Sequence, residues 1–310
     1  MRHFSSILRA ALTAAILIYL LARIDLRDTW AAMLRLDQRA ALVVLALLAV
    51  DRFIMIWRWI LLLRASGAVV STASASRVYL VSSFVGSFLP AGVGADALRA
   101  LSLTRDVTPR SESIASVAVD RVLGMLSIVL LGTIGIVVWT RQIDSELQQT
   151  TVVLAMLVGL GAAGVFWADR ILTLALPSSW HGTPHGGRLV RLFDALGRYR
   201  GRRGILSAVL LLSVAVQVLR VLQAYALGRG LGLDVPFTYY LVFMPIGLLM
   251  LLIPISISGF GLPQGVIVWL LRPQGVPDAV SFALSTLIIV TGIVANLPGA
   301  WLYLRTKTTS

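Results

Sequence analysis

Residues 235–271 run for 37 positions without one charged side chain. As a single straight helix that stretch would be about 55 Å long, nearly twice the roughly 30 Å hydrocarbon core of a bilayer. It contains Pro245, Pro254, Gly259, Gly261 and Pro263, and proline removes a helical N–H and crowds the preceding turn. The stretch therefore reads as a broken helix pair that enters a membrane and turns back. Non-helical backbone survives at membrane depth only where protein or a wet cavity satisfies it, so this segment belongs in the interior. Residues 78–95 form a second uncharged run, interrupted by Pro90, Gly92 and Gly94 and followed by Asp96.

Around these two runs lie six stretches long and apolar enough to cross, at 8–22, 40–63, 114–139, 151–175, 205–228 and 280–304. The first ends Tyr19-Leu20-Leu21-Ala22-Arg23 without a small-x-small cleavage pattern, so it reads as a retained helix rather than a signal peptide. Only 13% of the residues are charged, against about 25% in soluble domains. Cysteine is absent, which removes thiol catalysis and Cys–zinc sites. The expected fold is an all-α polytopic membrane protein, a single integral membrane domain over 1–310.

The charge of +13, from 27 basic and 14 acidic residues, suits cytoplasmic loops under the positive-inside rule and needs no nucleic acid. With Arg2 and Arg9 inside, segment 23–39 falls outside, 64–77 and 99–112 inside, and 140–150 outside. The Arg-rich segment 177–203 then falls inside, and so does the tail with Arg305 and Lys307. Both termini are expected to be cytoplasmic. Each half, about 1–140 and 150–305, reads as span, span, re-entrant hairpin, span. Three crossings is an odd number, so the second half is inverted relative to the first. Paired Gly/Pro-interrupted segments in matching positions of two halves point to a transporter's central site.

Ionisable groups at bilayer depth are costly and need partners. Asp51, Arg52 and Arg58 lie on the second span, Asp96 and Arg99 after the first glycine turn, Asp120 and Arg121 near the start of the third span, and Arg220 midway along the fifth. Glycines at 92 and 94 allow close backbone approach to a ligand. A glycine turn feeding a helix N-terminus suits phosphate, with Asp96 capping that end and Arg99 one turn on for bidentate contact. Asp120 and Arg121 supply a counter-ion and a second phosphate ligand. The competing reading is structural: buried ion pairs of Asp96 or Asp120 with Arg99 or Arg121, holding helices in register. Arg58 reads as reaching to the cytoplasmic interface beside Trp57 and Trp59. In the second run Ser256, Ser258 and Gln264 are the polar groups, and Asn296 lies on the last span; taken singly, each reads as satisfying nearby backbone.

Residues 188–203 place Leu189, Leu192, Phe193 and Leu196 at helical spacing, with Arg188, Arg191 and Arg198 elsewhere on the wheel. That is an interfacial amphipathic helix suited to anionic inner-leaflet lipid, or equally a determinant of topology. His181 and His185 lack a third metal ligand nearby and read as loop residues; neither a metal nor a cofactor is expected. No Walker lysine, Ser-His-Asp set or His-Glu-x-x-His is present, which excludes ATP-driven transport by this chain alone.

Taken together, Pro90-Ala91-Gly92-Val93-Gly94-Ala95-Asp96-Ala97-Leu98-Arg99, Asp120-Arg121 and Pro254-Ile255-Ser256-Ile257-Ser258-Gly259-Phe260-Gly261, with Arg58-Trp59, resemble the lysylphosphatidylglycerol synthase transmembrane-region family. This is the flippase-like domain at the N-terminal end of the multiple peptide resistance factor. The resemblance covers nearly the whole chain. It implies an integral membrane protein that moves a phospholipid or polyprenyl-linked glycolipid between leaflets. Where the family often continues its second motif with an Arg-Glu pair, Pro263 and Gln264 stand here, which puts a proton- or cation-coupled role for that site in doubt. An aminoacyl-transferase domain and lysyl transfer are not expected of this chain.

The leading reading is a lipid flippase or scramblase-type transporter of the cell membrane, with Arg99 and Arg121 holding a headgroup phosphate and Asp96 and Asp120 orienting them. Two others stay open: a membrane-embedded enzyme acting on a lipid phosphate, and a non-catalytic partner of a membrane glycosyltransferase. Whether the chain forms a homo-oligomer is open under all three.

Overall fold

The computed structural model describes residues 25–88, 93–103, 110–139, 184–250 and 261–307, together with the single residues 149, 153 and 156. Every regular element among them is helical. In chain order these are α1 (Leu26–Leu34), α2 (Gln38–Ala65), α3 (Thr72–Gly86), α4 (Val93–Ser102), α5 (Arg110–Val138), α6 (Pro184–Arg200), α7 (Arg203–Gly230), α8 (Phe237–Met250), α9 (Leu262–Leu271), α10 (Asp278–Val294) and α11 (Leu297–Lys307). A single 3-10 turn at Arg272–Gln274 follows α9.

Helix starts are written in the sequence. Asp25 accepts from the Arg27 and Asp28 amides to open α1. Asp37 accepts from Arg39 to open α2, and Ser71 from Ser74 to open α3; each satisfies N–H groups that have no partner in the first turn. At α9 the same task falls to a longer side chain. Gly261 takes φ 107°, a conformation that suits glycine, and its amide donates to Gln264 Oε1 at 3.2 Å. The other end of Gln264 donates to Thr286 Oγ1 at 2.8 Å, tying α9 to α10. Replacing Gln264 with Leu strands the buried Gly261 amide, so an apparent stability loss of about 1–3 kcal/mol is expected, measured as the thermal unfolding of detergent-purified protein.

Gln38–Ala65, Ser111–Val138, Arg203–Gly230 and Asp278–Arg305 are helices long and apolar enough to cross a membrane, each of 28 residues. They coincide with the spans expected at 40–63, 114–139, 205–228 and 280–304. The last is interrupted at Ala295 and Asn296, where Pro298 lacks the N–H that would continue the ladder. The expected span 8–22 lies outside the described residues, as does 151–175 apart from residues 153 and 156.

Two series of four helices recur along the chain. α2, α3, α4 and α5 have 28, 15, 10 and 29 residues. α7, α8, α9 and the Asp278–Arg305 span have 28, 14, 10 and 28. Their packing corresponds as well. α2 packs along α7, α3 against α4 as α8 against α9, and α5 against α8 as α11 against α3. Small residues seat the last pair of contacts. A Cβ at Gly135 of α5 would strike the Leu241 carbonyl of α8, and one at Gly299 of α11 would strike the Leu80 carbonyl of α3. Close backbone approach of this kind is how helices associate where lipid supplies no hydrophobic drive.

The interrupted runs fall within these series. α3 and α4, on either side of 89–92, touch through Gly86 and Ala95. α8 and α9 touch through Gly247 and Ile267. The core of the second series gathers Tyr240, Phe243, Leu227, Leu271 and Leu284, and α2 joins it through Val44 and Leu48.

Within the Arg-rich segment 177–203, the helical spacing expected at 188–203 is matched by a helix. Pro184–Arg200 is a helix, and its face bearing Ala195, Leu196 and Tyr199 packs on Leu62 and Ala65 of α2 and on Ala115, Val119 and Leu123 of α5. Tyr199 donates to the Leu62 carbonyl at 2.9 Å, and burial pushes its phenol well above the ordinary range. Arg198 reaches Glu112 of α5 at 3.0 Å. This part of the apolar stripe is covered by protein, while Arg191 and Arg198 remain exposed.

Candidate functional site

Near the middle of the four long helices lies a cavity of about 270 Å³. That volume lies just below the roughly 300–1,000 Å³ of sites that hold a whole small ligand, so it suits a headgroup rather than a lipid. Five arginines line it: Arg52 and Arg58 from α2, Arg99 from α4, Arg121 from α5 and Arg220 from α7. Asp96 and Asp120 complete the charged lining.

These side chains form shared pairs. Asp120 is 2% exposed. Its Oδ1 lies 2.7 Å from Arg58 Nε, and its Oδ2 accepts from Arg99 Nη1 at 3.3 Å. Arg99 also grips Asp96, whose other oxygen lies 2.9 Å from Arg121 Nε. Asp51, behind the lining, is approached by Arg220 Nε at 3.4 Å and Arg52 Nε at 3.7 Å. Every one of the three carboxylates is therefore held between two guanidiniums. Arg99 sits over aromatic faces as well, 4.9 Å from the Tyr79 ring centre and 5.4 Å from that of Trp59, an arrangement favourable to a desolvated cation.

Arg58 departs from the interfacial position expected of it. It is 4% exposed and donates from Nη1 to Ser213 Oγ at 2.8 Å, while the Ser213 hydroxyl donates in turn to the Val209 carbonyl at 2.6 Å. The reason is Asp120: a buried carboxylate opposite α2 leaves Arg58 a better partner inside than water at the interface. Asp96 also departs from the capping role. α4 begins at Val93, so Asp96 falls in its first turn and its carboxylate serves Arg99 and Arg121.

The neutral wall of the cavity includes Tyr79, Ser83, Ser87, Gln217 and Asn296. Gln217 is 3% exposed and donates from Nε2 to Ser127 at 3.3 Å. Asn296 donates from Nδ2 to Ser87 at 2.6 Å. The carbonyl oxygens of both amides are buried without a hydrogen-bond partner among the described residues.

A family model for the lysylphosphatidylglycerol synthase TM region matches residues 6–299. The chain belongs to that family. No curated protein matches the sequence.

Within this family member, the residues singled out from sequence divide into three groups. Asp96, Arg99, Asp120, Arg121 and Arg220 share the cavity, and Gly94 lies beside them in the first turn of α4. Gly261 and Gln264 bond to each other at the start of α9 and are not part of the cavity wall. Pro90, Gly92, Pro254, Ser256, Ser258 and Gly259 lie outside the described residues, as do His181 and the side chain of His185. Sequence reasoning placed Arg52 and Arg58 on the second span without assigning them to the site, and it passed over Tyr79 and Gln217. The available signal for Arg58 was Asp120 itself, a lone carboxylate flanked on the chain by one arginine but needing more than one donor when buried.

Proposed function

We propose that this protein is a lipid transporter of the flippase type, moving a phospholipid or polyprenyl-linked glycolipid with an anionic headgroup between the leaflets of the cell membrane. One observation carries the reading: five arginines line a headgroup-sized cavity near the middle of four membrane-crossing helices. Cationic side chains at membrane depth are expensive, and guanidiniums bind phosphoryl oxygens in bidentate fashion. Membership of the family agrees with it. The repeated series α2–α5 and α7–α11 supports an inverted repeat in which α3–α4 and α8–α9 are re-entrant hairpins. Transporters of that design bind near the midplane and rock one half against the other. On the charge rule both termini are cytoplasmic, and α6 lies at the cytoplasmic surface with Arg191 and Arg198 toward anionic inner-leaflet lipid.

Reconstitution tests it. Liposomes containing the purified protein and a labelled anionic phospholipid should exchange label between leaflets faster than protein-free liposomes. Arg121→Gln and Arg220→Gln are the informative variants, because both side chains are partly exposed and their loss leaves each Asp one remaining Arg. Each should slow exchange by about tenfold, the effect of about 1.4 kcal/mol, with elution and thermal unfolding unchanged. Wild-type exchange equal to that of empty liposomes would overturn the transport reading.

A further inference from the structure

The charges around the cavity do not cancel. Five arginines face three aspartates, counting Asp51 behind the lining, so among the described residues two positive charges are left over. Re-pairing within the network leaves that surplus unchanged, because a change of partners alters no charge. Asp51 is also the most loosely held, with nitrogen–oxygen distances of 3.4 and 3.7 Å, and Arg52 and Arg220 are 20% and 26% exposed. The surplus is divided: one charge in the group of Asp51 with Arg52 and Arg220, and one in the group of Asp96 and Asp120 with Arg58, Arg99 and Arg121.

The neutral part of the wall is polar as well. Gln217 Oε1 and Asn296 Oδ1 are buried acceptors without a partner among the described residues, and both residues line the cavity. Carbonyl oxygens accept hydrogen bonds and cannot hold an ionised phosphoryl group, so anion binding falls to the arginines.

We infer that the cavity is matched to a phosphoryl headgroup bearing two negative charges, a phosphomonoester or a diphosphate, in preference to a singly charged phosphodiester. In a low-dielectric site an uncompensated charge is costly. A dianion neutralises the surplus completely, whereas a phosphodiester leaves one guanidinium charge standing. This rests on the anionic-lipid reading above and specifies its cargo.

The test compares two probes that differ by one methyl group and one charge, dihexanoyl phosphatidic acid and dihexanoyl phosphatidylmethanol. Binding to the purified full-length protein in neutral detergent is followed calorimetrically near pH 8, where a phosphomonoester is essentially doubly ionised. Phosphatidic acid should bind about tenfold more tightly, equivalent to about 1.4 kcal/mol. Arg220→Gln lowers the surplus to one and should shrink the ratio to about twofold or less, in protein that still elutes as a single species. Should that variant fail to fold, the wild-type ratio decides alone.

Phosphatidylmethanol binding as well as or better than phosphatidic acid would overturn the preference and leave the anionic-lipid reading intact. If neither probe outcompetes dihexanoyl phosphatidylcholine, both readings fall. Inorganic phosphate is the remaining arm. Binding as tight as that of phosphatidic acid would uphold dianion selection while overturning the lipid as its source.

Discussion

An Asp120→Ala variant is expected to lose about 3–5 kcal/mol of stability, the usual consequence of removing one partner from a buried ion network. Arg58 and Arg99 would then face each other's charge with Ser213 and Asp96 as their remaining polar contacts. The readouts are the yield of monodisperse protein and its thermal unfolding in detergent. That result alone would not separate a structural role from a ligand-binding one. Replacing the set together does so. Arg58→Met, Arg99→Met and Asp120→Leu in one chain should restore stability to near wild type, since apolar residues of similar volume replace buried ion pairs at little cost. Leaflet exchange should nevertheless stay at the level of empty liposomes. A stable triple variant that transports normally would show the network to be scaffolding only.

Gly135→Leu and Gly299→Leu are expected to be the next most damaging changes. Their Cβ atoms would fall on the Leu241 and Leu80 carbonyls, and backbone cannot rotate away as a side-chain tip can. Overpacking of a tight contact costs typically about 1–3 kcal/mol and sometimes more. Here it also pushes α5 from α8, or α11 from α3. Gly292→Ala is the control, because a Cβ there meets nothing within 4 Å; alanine's better helix propensity, about 1 kcal/mol, should leave that variant at least as stable. The comparison is made by fluorescence-detected elution after heating. Equal melting of all three would remove the close-packing account of how the two helix series are joined.

Four long spans were legible in the amino-acid sequence because their punctuation is local. Prolines and glycines break the uncharged runs, and apolar length marks the spans, which is why four of them match to within a few residues. Partner choice was not local. Arg58 meets Asp120 and Ser213, Asn296 meets Ser87, and Asp51 meets Arg220, each across two helices distant in sequence. The usual guide to a helix's inner face is amphipathic periodicity. α2 has almost none, because the face toward lipid is as apolar as the face toward protein. The Arg58 error follows from this: with no visible inner face, interface and interior look the same from the chain alone.

For α6 the helix was legible, and what covers it was not. Its stripe of Leu192, Phe193 and Leu196 was plain, but a stripe states only that something apolar covers it. Lipid and protein satisfy the same pattern, and here α2 and α5 supply much of the cover.

What the sequence by itself determined is the solvent, the helical class, the family pattern and the few buried charges worth attention, because charge and apolar length act locally and cost the same wherever the chain goes. What only the tertiary structure decided is that five of the arginines and three of the aspartates meet around one cavity. Ion pairing depends on distances of a few ångströms between helices, and those distances are set by how α7 packs on α2 and how α5 packs on α2, α4 and α7.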